Sequence, residues 1–100
     1  MPRDASEIED RRARVEARLC ALLEEAQSSV TIDDIKHYIF TQSHTTRPRV
    51  WIDHVSDLFG RAPGTVDMDT VLSVFQDAWN YFPHRSLNGS SPIERFLELS

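Results

Sequence analysis

The sequence predicts an all-α fold: a small bundle of four main helices and a short C-terminal one, with no sheet. Two observations carry this. Apolar residues recur at i, i+3, i+4 and i+7 in four separate stretches, and no run alternates with period two for long. Each stretch is also bounded by recognisable helix start and stop residues. At 100 residues the chain has the size of one domain, so 1–100 reads as a single helical unit, with residues 1–5 expected to fray.

The first helix is expected over residues 5–27. Asp4 suits the N-cap, with Glu7 three positions on. Ile8, Val15, Leu19, Leu22, Leu23 and Ala26 share one stripe, and Arg12 interrupts it. Only Ile8 is apolar in the first two turns, which predicts an end that is weakly anchored or meets a partner. Ile8, Val15 and Leu22 fall at heptad spacing, so this helix could pair with a second copy of itself.

Thr31 opens the second helix, with Asp34 at its third position and Val30 placed to staple onto Ile35. Its apolar face is Ile32, Ile35, Tyr38 and Ile39. A polar loop, 42–47, leads to a third helix from Pro48 to Phe59, with Trp51, Ile52, Val55, Leu58 and Phe59 on one face. Gly60 is expected just past its end, at the start of a loop through Pro63 and Gly64 to Thr65. Asp67 should cap the fourth helix, with Val66 stapled onto Val71. Its stripe runs through Met68, Val71, Leu72, Phe75, Ala78, Trp79 and Phe82 until Pro83 stops it. A last helix begins at Ser91-Pro92, with Glu94 completing a capping box and Ile93, Phe96 and Leu97 facing inward. Trp51, Phe59, Phe75, Trp79 and Phe82 should form the central layer, each contributing about 2–3 kcal/mol by burial before the entropy of ordering is set against it.

Composition excludes several functions. The net charge is −5 with the acids spread along the chain, which argues against a duplex or membrane-surface binder. One cysteine, Cys20, rules out an internal disulfide and a cysteine metal cluster. The N-terminus has no apolar leader segment and no run is long enough to span a membrane, so a cytoplasmic location is expected. Asp33 and His37 share a helix face, as do His54 and Asp57 beside Asp53, yet no spacing collects three metal ligands. Cys20 lacks an adjacent base, the serines fall in caps and loops, and no glycine-rich phosphate loop exists. No cofactor, no metal and no catalytic residue is expected, and the chain does not read as an enzyme.

Near the C-terminus runs Asn80-Tyr81-Phe82-Pro83-His84-Arg85-Ser86-Leu87-Asn88-Gly89, followed by Ser91-Pro92-Ile93-Glu94. This string is similar to the closing segment of integrase-type DDE transposases, where an aromatic–Pro–His–Leu–Gly–Ser/Thr-Pro-x-Glu pattern follows the last catalytic helix. The likeness spans residues 80–96. The family's β-rich nuclease core has no counterpart upstream. Asp69 and Asp77 stand on the preceding helix without the strand partners that would make them metal ligands. The resemblance therefore implies a shared structural corner or an excised remnant, and no transposase activity is inferred from it.

What remains points to binding. Val74 and Tyr81 lie off the main stripe of the fourth helix, and Phe40 off that of the second. Such residues mark either an interface or a central helix with two buried faces. The sequence thus reads as a non-enzymatic interaction module, an adaptor, regulator or inhibitor acting through an apolar helix face. Phe40, Val74, Tyr81, Ile8 and Arg12 are its partner-binding candidates, and the partner is another protein or a second copy. The alternative is a nucleic-acid-associated accessory protein that gathers Arg47, Arg49, Arg61 and Arg85 into a basic patch.

Overall fold

The computed structural model describes residues 4–62 and 64–99. Five α-helices follow one another: α1 (Ala5–Glu25), α2 (Ile32–Thr41), α3 (Pro48–Gly60), α4 (Met68–Tyr81) and α5 (Pro92–Leu99), with a 3-10 turn, Arg85–Leu87, before the last. Among the described residues there is no strand. The first four helices form a bundle-like packing, and α4 is its axis, packing most extensively on α1 and also against α3 and α5.

Local chemistry sets the helix starts. The Asp4 carboxylate accepts from the Glu7 N–H at 3.0 Å, so this residue, expected to fray, anchors the first turn instead; residues 1–3 lie outside the described residues. Thr31 and Asp34 form a reciprocal capping box, each side chain accepting from the other's main-chain N–H. Asp67 is the N-cap residue of α4, but its side chain accepts from the Thr70 hydroxyl at 2.7 Å rather than from a helix N–H.

One glycine departs from expectation and another is needed where it was expected, in the α3–α4 loop. Gly60 ends α3 inside the helix, with no left-handed cap there. α1 closes two residues before the expected end, and Gln27 takes the left-handed conformation at φ 55°. Gly64 is needed for closeness. Its N–H donates to the Ala26 carbonyl at 2.7 Å, and a Cβ at this position would run into the Glu25 carbonyl oxygen and the Ala26 main chain. The α3–α4 loop thereby seals the end of α1; Pro63, expected in that loop, lies outside the described residues.

One apolar cluster unites the four helices: Val15, Leu19, Leu22 and Leu23 of α1, Ile35 and Ile39 of α2, Trp51, Val55 and Phe59 of α3, and Val71, Phe75 and Trp79 of α4. At its centre Trp51 meets Phe75 at 5.3 Å and Trp79 at 5.9 Å between ring centroids, separations at which aromatic pairs attract beyond their burial. Val74 is fully buried, because α4 has neighbours on more than one side, so it is no interface residue. Val15 and Leu22 face α1's own bundle, and Ile8 is buried as well, which removes the heptad face expected to pair with a second copy. Phe96 is the opposite case: expected inside, it stands 56 % exposed. Among the described residues no helix is long and apolar enough to cross a membrane.

Candidate functional site

Of the residues expected to meet a partner, Phe40 alone stands exposed. α2 buries Ile35 and Ile39, and Phe40 lies one residue further round the helix, 37 % exposed. It borders a groove of about 360 Å³ that α1, α2 and the end of α4 enclose with Arg12, Lys36, His37, Phe82 and Pro83. Lys36 shares Phe40's face at i,i+4, and its ammonium donates to Glu16 Oε1 at 2.8 Å, fastening α2 to α1. On the far wall α4 ends at Tyr81 and is capped by Phe82, whose N–H still donates to the Ala78 carbonyl at 2.8 Å. Pro83, with no N–H to give, ends the ladder and turns the chain into the groove's rim.

Arg12 is a fastening rather than a free contact. Its Nε donates to the Tyr81 carbonyl and its Nη2 to Glu94 Oε1, both at 2.7 Å. The last carbonyls of a helix have no partner within it, so Arg12 caps α4 from outside while holding the start of α5. Glu94 Oε1 also accepts from the Ser91 hydroxyl at 2.8 Å and the Ser91 N–H at 3.0 Å. Burial pushes the Glu94 carboxyl up, but the Ser91 bonds and the Arg12 guanidinium outweigh it and hold the carboxyl below its ordinary value. Tyr81 itself is half-buried against the core, and its main-chain oxygen holds Arg12.

The corner between α4 and α5 is built around a residue that periodicity had not singled out. His84 is fully buried. Its Nε2 lies 2.9 Å from the Trp79 carbonyl oxygen and its Nδ1 3.2 Å from that of Gln42. The ring stands edge-on to Trp79 at 4.7 Å. His84 thus joins the end of α4 to the α2–α3 loop. The main chain returns through Asn88 and Gly89, both at positive φ, to the His84 carbonyl.

The other chemistry-bearing residues take structural places. His54 stacks on Tyr38 at 4.0 Å with the rings nearly parallel, and burial raises the Tyr38 phenol above its ordinary value. Cys20 is half-buried on the margin of α1. Among the described residues no three His, Cys, Asp or Glu side chains gather as a metal site would require. The four arginines of the expected basic patch divide. Arg47 and Arg49 sit at the start of α3 and Arg85 on the 3-10 turn, whereas Arg61 lies at the far end of α3, about 18 Å from Arg49 along the axis. There it pairs with Asp57 at 3.2 Å. Compared with protein-family models, curated proteins and solved structures, the chain finds no match.

Proposed function

We propose that this chain is a non-enzymatic interaction module, an adaptor, regulator or inhibitor, that receives an apolar side chain of another protein in the groove beside Phe40. The carrying observation is Phe40 itself: a large aromatic left exposed at the lip of a groove backed by Phe82 and Pro83. A partner side chain seated there would leave water along with Phe40, at roughly 25 cal/mol per Å² of apolar surface. The non-enzymatic part is supported by the duties of the polar side chains inside the fold. His84, Arg12 and Glu94 each hold two segments together, and Ser91 caps the start of α5.

The test pairs capture with a surface change. The chain is used as bait in its source cells, wild type against Phe40→Asp, with light scattering on both. A protein retained by wild type and released by Phe40→Asp supports the reading. A wild-type dimer dissolved by the same change names a second copy as the partner. Equal retention by both, or a strict monomer that retains nothing, counts against it.

A further inference from the structure

Among the described residues, two further large hydrophobics stand exposed. Val50, 53 % exposed, is in the first turn of α3, and Phe96, 56 % exposed, is on α5. A hydrogen bond joins the α2–α3 loop to the 3-10 turn that precedes α5. His44, just before α3, donates its main-chain N–H to Ser86 Oγ at 2.9 Å, and its Nδ1 lies 2.9 Å from the same oxygen. With Leu87, Pro92, Arg95 and Phe96, His44 also borders a cleft of about 380 Å³.

Unpaired positive charge lies on the segments that border that cleft, with Arg85 two residues before Leu87 and Arg47 three residues after His44. Arg47 and Arg49 flank Pro48 at the start of α3, and Arg85 is next to Ser86. All three are exposed, and none has an ion-pair partner among the described residues. The first turn of α3 has no acidic residue and no side-chain cap, so the positive end of its dipole faces outward uncompensated. Arg12, Lys36, Arg61 and Arg95, by contrast, each hold a carboxylate.

We infer that this face docks an acidic segment of a partner protein. The segment's carboxylates would meet Arg47, Arg49 and Arg85, and an aliphatic or aromatic side chain would enter the cleft against Phe96. One feature favours this partner over a nucleic acid. Phosphates would leave the apolar cleft wall at Leu87, Pro92 and Phe96 unmatched, whereas an acidic amphipathic segment matches both that wall and the arginines. This face shares no residue with the groove beside Phe40, so it stands or falls separately.

A random-peptide phage library panned on the full chain tests it, with the selected peptides measured by fluorescence anisotropy. Enriched peptides should combine Asp or Glu with a large apolar residue. Their affinity should fall about tenfold or more in Arg47→Glu/Arg85→Glu and in Phe96→Ser. It should weaken with salt and be unchanged in Phe40→Asp. A labelled oligo(dT) strand serves as the competing probe. Enrichment without acidic residues, no enrichment, or equal binding by the charge-reversed chain overturns the inference. So does an oligo(dT) complex at low salt that Arg47→Glu/Arg85→Glu abolishes, since that assigns the face to nucleic acid.

Discussion

Arg12 Nη2 and Glu94 Oε1 are 2.7 Å apart in space and 82 residues apart in sequence. The same guanidinium caps the carbonyl of Tyr81, so one side chain joins α1, α4 and α5. Replacing Arg12 by Ala leaves the Tyr81 carbonyl and the Glu94 carboxylate short of a donor and removes the arginine stem. The expected cost is about 1–3 kcal/mol, read as a lower urea midpoint by circular dichroism. A double-mutant cycle with Glu94→Gln should give a coupling of about 0.5–1 kcal/mol, because both side chains remain partly in water. A loss for Arg12→Ala within error of zero would remove the clamp from this account.

The same contact makes stability depend on pH. The folded state holds Glu94 below its ordinary 4.5. Its contribution is therefore complete above 4.5, and it is lost as pH falls through the lowered folded value. Urea midpoints followed downward from neutral pH should drop less steeply for Glu94→Gln than for wild type. Parallel curves would show that the carboxylate carries no such linkage.

Gly64→Ala should destabilise although it adds a single methyl group. The obstructing atoms are main chain, at Glu25 and Ala26, and cannot swing aside as a flexible side chain could. About 1–3 kcal/mol is expected, corresponding to a melting point lower by some 4–8 °C for each kcal/mol in a chain this size. An unchanged melting temperature would mean that the loop does not rest on the end of α1.

His84→Ala removes the ring that bridges the Trp79 and Gln42 carbonyls, whichever of them its N–H serves, and leaves a space beside Trp79. The expected loss is about 2–4 kcal/mol. Tryptophan fluorescence should shift as water reaches Trp79. A stable variant with an unshifted spectrum would place the corner's stability elsewhere.

These sites separate what local pattern reveals from what it hides. The Thr31–Asp34 box, the Pro48 start and the Pro83 stop act within one turn of helix, so they are readable from neighbouring residues. The Ser91–Glu94 pair is legible for the same reason. Val74 and Ile8 depend on how many helices surround them, which a single stripe does not state. Arg12 looked like a fault in an apolar stripe because its partners come from the other end of the chain. His84 carried no periodic signal at all, and only its place in the Pro83-His84 corner marked it. Phe96 obeyed helical spacing yet stayed outside, since α5 is covered by little besides α4. Of the candidate site, Phe40 was legible as an apolar residue off its helix's stripe; the groove beside it was not, because its opposite wall comes from α4.

The packing of α1 on α4 has a temporal side. During synthesis α1 emerges before α4, with its leucine stripe uncovered, and this main partner is made some forty residues later. The fastening at Glu94 comes later still. A nascent chain halted before α5 would hold a hydrophobic helix without its lock. Consolidation of this protein therefore waits until α5 has been made and can meet α1 and α4.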